Sequence, residues 1–269
     1  MARCLPDGLS RPFAGREPFA FSRRSDEPML ILSEPRASHQ SSVSGRRAPR
    51  LYFLDPMPQP AFARACVHAG ALGFDAILLA PPFATGRDKN VFLSADHDRL
   101  NARFDRPGDA LDAVAALADE ARQQGLDLFL DLVVDRMAPD GLLPAMEPSW
   151  FLPRDAEPTV PDPRRPPTRE GAQVNFTDAG VAGAVAAYFA DLVGALVDCG
   201  VAGFRCDAPQ RVPTEVWGKI ITAGREADAA VRFLAWTPGL THAQIEALLP
   251  AGFDGGFSSL AWWDVRKPW

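Results

Sequence analysis

The sequence predicts an α/β protein of the TIM-type (β/α) barrel class, incomplete at about six of the eight strand–helix units of a closed barrel. Short, continuously apolar segments alternate with segments of helical periodicity, which is typical of parallel strands covered by helices. This alternation fits a doubly wound sheet equally well. The long insertions all follow strands, however, and in a barrel such loops form the active face, so their placement favours the barrel.

The predicted strands are short apolar runs bounded by turn-forming residues, such as Asp55-Pro56 after the first and Pro81-Pro82 after the second. They cover residues 51–54, 74–80, 126–134, 201–206, 231–236 and 253–260. The predicted helices show apolar residues at i, i+3 and i+4 spacing, and Gly73 and Gly125 directly follow the first two. They cover residues 61–72, 108–124, 179–198, 214–227 and 241–249.

Two irregular insertions are predicted, one after the second strand and one after the third. The first, at about residues 83–106, is a long loop rich in glycine, aspartate and asparagine. The second contains seven prolines between residues 148 and 167, a density that excludes a regular helix or a central strand.

Charge is distributed unevenly over the 269 residues, whose net charge is −6. Residues 1–50 hold nine arginines and five acidic residues, a net charge of +4, which leaves −10 on residues 51–269. A basic arm is compatible with nucleic-acid binding or organelle targeting, but targeting peptides avoid acidic residues. We interpret residues 1–50 as a disordered Arg/Ser/Pro-rich extension, and the acidic remainder argues against a nucleic-acid partner. Residues 51–269 form the barrel, which we expect to end before a seventh and an eighth strand.

The cysteine and histidine patterns indicate neither disulfides nor a metal site. The four cysteines include no Cys-x-x-Cys pair, and the four histidines lack ligand spacing. We therefore expect buried thiols in a reducing compartment, a cytoplasmic location, and no cofactor or metal. No apolar run reaches the roughly 18 residues of a membrane span, so no membrane partner is expected.

The segment Gly203-Phe-Arg-Cys-Asp207 carries the clearest chemical signal. Arg205 and Asp207 are two residues apart on a strand, so both side chains point to the same face near its carboxyl end. An adjacent arginine keeps a carboxylate ionised, as a nucleophile that attacks a sugar anomeric carbon requires. A structural ion pair is the alternative interpretation.

This segment resembles the Gly-x-Arg-x-Asp strand of the alpha-amylase family of glycoside hydrolases, whose Asp is the catalytic nucleophile. Other segments follow in the family's order: Val91-Phe-Leu-Ser-Ala-Asp96, Asp131-Leu-Val-Val-Asp-Arg136, Gln173-Val-Asn-Phe176 and Phe233-Leu-Ala-Trp236. Within the family, Pro148-Ser-Trp-Phe151 and Val212-Pro-Thr-Glu-Val-Trp217 are similar to alpha-1,4-glucan:maltose-1-phosphate maltosyltransferases. The resemblance covers about residues 51–269.

The resemblance implies retaining glycosyl transfer or hydrolysis on an alpha-1,4-glucan or maltooligosaccharide, with maltose 1-phosphate as an alternative substrate. Asp207 would attack the anomeric carbon, and Arg205 would keep it ionised. The implied substrate-binding residues are Lys89, Phe92, Asp131, Asp135, Arg136 and Asn175.

The departures from the family pattern leave two hypotheses open. Trp236 stands at the position of the acid/base Glu, and an indole N–H is not a general acid at neutral pH. Asp135 and Arg136 replace an Asn-His pair, and Gln173 replaces an Asp, which argues against a calcium site. The third catalytic Asp of the family would lie beyond Trp269, where a partner segment could complete the barrel. The chain is either an enzyme of this family or an impaired relative that at most binds alpha-glucan.

Overall fold

The computed structural model describes residues 47–105, 109–153 and 171–257. Its strands are β1 (Leu51–Leu54), β2 (Ala76–Leu79), β3 (Phe83–Thr85), β4 (Ser94–Leu100), β5 (Asp127–Leu132), β6 (Arg136–Met137), β7 (Ala172–Gln173), β8 (Val201–Cys206), β9 (Arg232–Ala235) and β10 (Gly255–Gly256). Its helices are α1 (Gln59–Ala71), α2 (Ala110–Gln123), α3 (Leu142–Met146), α4 (Ala179–Asp198), α5 (Thr214–Ala227) and α6 (His242–Leu248). Residues 1–46 of the predicted extension lie outside these ranges.

A six-stranded parallel sheet forms the centre of the fold. Its spatial order, β1-β2-β5-β8-β9-β10, follows the order of the chain, and every neighbouring pair is parallel. Each strand therefore lies beside the next along the chain, with a helix in every connection, as in a TIM barrel. The fold class is confirmed: the described residues contain six of a barrel's eight strands.

Side-chain caps explain where several helices begin. The Asp178 carboxylate accepts hydrogen bonds from the N–H groups of Gly180 and Val181 at 2.7 and 3.2 Å, which starts α4. Asp109 caps α2 in the same way, and Thr241 forms a capping box with Gln244 at the start of α6. These bonds satisfy backbone donors that have no partner inside the helix.

The main core lies between the sheet and the helices on its outer face. Its fully buried side chains include Ile77, Leu79, Leu128, Leu130, Phe189, Phe204, Trp217 and Phe233. A second, smaller cluster lies on the opposite, inner face of the sheet and contains Ala76, Leu78 and Phe129. Because strand side chains alternate between faces, the inner face also carries the polar residues at the carboxyl ends of β5 and β8.

Helix α4 bears on the expectation that no apolar run is long enough to cross a membrane. At 20 residues and a mean hydropathy of 1.8, it is long and apolar enough to cross a membrane by length and composition. Half of its apolar window is buried inside the fold, against α5 and β8 among other elements. Core helices of this kind pass the same test, so α4 is weak evidence for a membrane span.

Both insertions contain regular structure that the sequence did not predict. In the first, β3 and β4 form an antiparallel pair. In the second, β6 pairs with β7, and α3 lies between them in the chain. Residues 154–170, which hold most of the prolines of the second insertion, lie outside the described residues. β3, β6 and β7 have only two or three residues, too few to show a period, and the seven residues of β4 are mostly polar and lack an apolar alternation.

Candidate active site

Asp131 and Arg205 form a two-bond ion pair on the inner face of the sheet. Asp131 of β5 lies in register with Arg205 of β8. The Arg205 guanidinium donates from Nε to Oδ1 at 2.5 Å and from Nη2 to Oδ2 at 2.6 Å. The Asp131 side chain is fully buried, and that of Arg205 is 14% exposed. The pair is fixed because both hydrogen bonds match the planar shapes of its two groups.

Asp207 lies one residue beyond β8 and binds Arg136 from the neighbouring insertion. Its N–H donates to the Leu132 carbonyl at 2.9 Å, so the chain still runs beside β5 at this point. Arg136 donates from Nη2 to Asp207 Oδ2 at 2.6 Å and from Nη1 to Asp135 Oδ1 at 2.6 Å. Arg136 thus bridges two carboxylates at the carboxyl ends of two adjacent strands.

Arg211 extends this network toward solvent. It donates to Asp135 Oδ2 at 3.4 Å, and its side chain is 39% exposed. The turn that returns Arg211 to the site begins at Ala208, whose φ of 42° is unusual for a residue with a Cβ. Such a backbone persists only where surrounding contacts support it, so the chain after Asp207 is held in one conformation.

Burial dominates the electrostatics of the site. Burial raises the pKa of Asp131 from 3.8 to about 6, although the hydrogen bonds from Arg205 act in the opposite direction. Burial also raises the pKa of Asp135, opposed by the charge of Arg136. Burial alone would lower the pKa of Arg136, but Asp135 and Asp207 outweigh it and raise that pKa. Arg136 is therefore a permanent cation between two carboxylates.

Aromatic rings enclose Arg205 on several sides. Its Cζ lies 4.8 Å from the ring centroid of Trp236, 4.9 Å from that of Phe53 and 6.0 Å from that of Phe257. The Trp236 and Phe257 rings lie 5.1 Å apart. These are cation–π distances, so the three rings stabilise the guanidinium where it binds Asp131.

The structure brings four of the predicted substrate-binding and catalytic side chains into direct contact with one another or with Asp207: Asp131, Asp135, Arg136 and Arg205.

Three other predicted substrate-binding residues lie in the insertions. Lys89, exposed, and Phe92, half-buried, belong to the turn between β3 and β4. Asn175 follows β7, and its side-chain oxygen accepts a hydrogen bond from the Thr177 hydroxyl. Their described contacts place these three outside the carboxylate–arginine network.

One predicted contact is replaced by another. The sequence predicts Arg205 and Asp207 side by side. The described hydrogen bonds of Arg205 go to Asp131, and Arg136 donates one to Asp207. Sequence reasoning also missed Phe53 and Phe257 as neighbours of the site. Phe53 could have been found from the alternation of β1, which places it on the inner face.

The fold agrees with that of alpha-amylases. The alpha-amylase of Geobacillus thermoleovorans, solved with acarbose, superimposes with a TM-score of 0.63 at 15% identity, covering 79% of this chain and 52% of that one. The cyclic alpha-maltosyl-(1→6)-maltose hydrolase of Arthrobacter globiformis superimposes with a TM-score of 0.57 at 17% identity, covering 79% and 55%. This chain thus spans about half of each structure. No family model matches it.

The order of the motifs, the six-stranded parallel sheet and the position of Asp207 together define a class: the chain belongs to the alpha-amylase family of glycoside hydrolases. In sequence it is similar to the alpha-1,4-glucan:maltose-1-phosphate maltosyltransferase of Burkholderia pseudomallei (strain K96243). The two are 36% identical over 226 residues. The match covers 82% of this chain and spans only about a fifth of that relative.

Proposed function

We propose that this chain binds an alpha-1,4-glucan at the carboxyl end of its sheet and that its catalytic machinery is impaired. One observation carries this proposal: of the two carboxyl positions that the chemistry needs, one holds a carboxylate and the other a tryptophan. Asp207 follows β8, where the family resemblance implies the nucleophile. Trp236 follows β9, where the resemblance implies the acid/base Glu, and it packs on Arg205.

Retaining transfer needs two carboxyl groups about 5–5.5 Å apart, one to attack C1 and one to protonate the leaving oxygen. Asp207 can serve as the first. The Trp236 indole cannot donate a proton at neutral pH, and the loss of a general acid typically costs about 10²–10⁴-fold in rate. A leaving group that departs without a proton would bypass this loss.

The charge of the site favours a neutral sugar over a phosphorylated one. The described network pairs three aspartates with three arginines: Asp131, Asp135 and Asp207 with Arg136, Arg205 and Arg211. A balanced network offers little net attraction to a dianion. Uncharged maltooligosaccharide is therefore the expected ligand, and maltose 1-phosphate is the alternative.

Calorimetric titration with maltoheptaose tests binding, and alpha-maltosyl fluoride tests the nucleophile. In the second assay a carboxylate oxygen of Asp207 bonds to C1 while the C–F bond breaks and fluoride leaves with the electron pair, so no acid is needed. We expect maltoheptaose binding, fluoride release that Asp207→Asn abolishes, and no turnover of maltoheptaose above that control. Absence of both binding and fluoride release would refute the proposal.

A complete retaining transferase or hydrolase is the second candidate, favoured by the retained Asp207 beside the Asp131–Arg205 pair. It requires sugar release from maltoheptaose, or phosphate release from maltose 1-phosphate, by the unmodified chain. Trp236→Glu separates the two candidates. Turnover that appears only in this variant supports the impaired site, whereas turnover without the substitution supports the complete enzyme.

A further inference from the structure

The orientation of the Arg136 guanidinium is set by hydrogen bonds to two carboxylates, which use only two of its three nitrogen donors. The residue is 6% exposed, and its Nη1 and Nη2 groups each donate at 2.6 Å, to Asp135 and Asp207 respectively. Its third type of donor, Nε, is buried without a hydrogen-bond partner in the described part of the chain. An unpaired buried donor costs about 1–3 kcal/mol. The two carboxylate contacts therefore determine where the guanidinium lies.

We infer that Arg136 is the positioning residue of Asp207: it holds that carboxylate at the carboxyl end of β8 and ties it, through Asp135, to the insertion after β5. The inference rests on the proposed function insofar as Asp207 is the carboxylate that faces the sugar. Arg205, which the sequence suggested for this role, instead forms its hydrogen bonds with Asp131.

The surroundings of Arg136 make it a rigid support. It pairs with Gln173 of β7, and the carbonyl of Asp135 accepts a hydrogen bond from the Val174 N–H at 2.9 Å. A Cβ built at Gly171 would lie 3.4 Å from the Cβ of Arg136, so the backbone of β7 approaches closely on that side. Arg211 contacts Asp135 in turn. These contacts hold the backbone of Arg136 in place beside Asp207.

Positioning of this kind affects catalysis because reacting groups tolerate little displacement. A misplacement of about 1 Å can cost about 100-fold in rate. A cation at hydrogen-bond distance also favours the ionised form of a carboxylate. Arg136 therefore supplies both the orientation and the charge state that an attack on C1 requires.

Carbodiimide coupling to an amine tests this inference on the full chain without any sugar. The reagent modifies protonated carboxyl groups, and mass spectrometry locates the modified aspartates. At pH 6 we expect Asp207 to react about tenfold faster in Arg136→Gln than in the unmodified chain, because its cation is lost. Arg136→Lys should restore most of the protection. Arg205→Gln, the matched control, should accelerate Asp131 more than Asp207.

Two outcomes would overturn the inference: an unchanged rate at Asp207 in Arg136→Gln, or an equal acceleration of Asp207 in Arg205→Gln. If Arg136→Gln does not fold, Asp207→Asn provides the same test by NMR of arginine side-chain N–H groups. The Arg136 resonances should move and those of Arg205 should stay, and the reverse result refutes the inference. Slower carbodiimide modification of Asp207 in the presence of maltoheptaose tests the proposed function alone. The positioning role of Arg136 and the proposed function can therefore fail separately.

Discussion

Arg205 of β8 lies directly opposite Asp131 of β5, and its guanidinium binds that carboxylate through two hydrogen bonds. Neighbouring strands are about 4.8 Å apart, whereas residues i and i+2 of one strand are about 6.6 Å apart. The cross-strand carboxylate is therefore nearer to Arg205 than Asp207 is. Register between strands, rather than spacing along one strand, decides which acid this arginine binds.

Arg205→Met should destabilise the chain by about 3–5 kcal/mol at pH 8, because the buried Asp131 carboxylate loses its cation while the apolar contacts are kept. The loss should be much smaller at pH 5, where Asp131 can take up a proton. Urea unfolding at both pH values measures this. The double variant Asp131→Asn/Arg205→Met should recover most of the stability at pH 8, and strict additivity of the two changes would contradict the prediction.

The stability of the chain should fall between pH 4 and pH 7 because of Asp131. Its pKa is raised by burial to about 6 in the folded state, above the ordinary value of 3.8, so the folded state binds this proton more tightly. Its contribution to stability is then complete below pH 3.8 and lost as the pH rises through 6. The Asp131→Asn/Arg205→Met variant lacks the titrating group, and a parallel fall in that variant would assign the effect elsewhere.

Gly203→Ala should destabilise the sheet by about 1–3 kcal/mol or more, because a Cβ at this position would overlap the Phe129 ring on the neighbouring strand. Gly183→Ala in α4 is the matched control, since the space around Gly183 is open. It should stabilise by about 0.5–1 kcal/mol through helix propensity. Thermal unfolding of the two variants measures both changes in stability. If Gly203→Ala changed stability no more than Gly183→Ala, the Phe129 ring would be able to move aside.

Tyr188→Phe should lower the free energy of unfolding by about 1–3 kcal/mol. The Tyr188 hydroxyl and His97 Nδ1 are hydrogen-bonded at 2.7 Å and join α4 to β4 of the first insertion. Burial lowers the pKa of His97 to about 4, so its ring is neutral at pH 7. In Tyr188→Phe this buried ring nitrogen loses its hydrogen-bond partner. Tyr52→Phe is the control, because the described residues give the Tyr52 hydroxyl no hydrogen bond. A similar loss in both variants would contradict the role of the His97 contact.

Apolar periodicity was sufficient to predict most of the parallel sheet. The bounds of β1, β8, α4 and α5 agree with the prediction, and most other elements differ by one or two residues at each end. The sixth predicted strand, 253–260, is shortened to Gly255–Gly256, and its last three residues lie outside the described residues. In these elements burial requires apolar residues at regular positions along the chain, and that regularity is visible in the sequence. The strand pairs of the insertions were missed because β3, β6 and β7 are too short to show a period and β4 is mostly polar.

Local patterns along the chain were enough to predict the (β/α) succession, Asp207 at the end of a strand, and Trp236 where the family resemblance implies an acid. Contacts between distant segments set which arginine binds which aspartate and bring Trp236, Phe53 and Phe257 around Arg205. Periodicity and motif order are local properties that a single segment expresses. Charge pairing depends on strand register and on the path of an insertion, and both are set by packing between segments far apart in the chain.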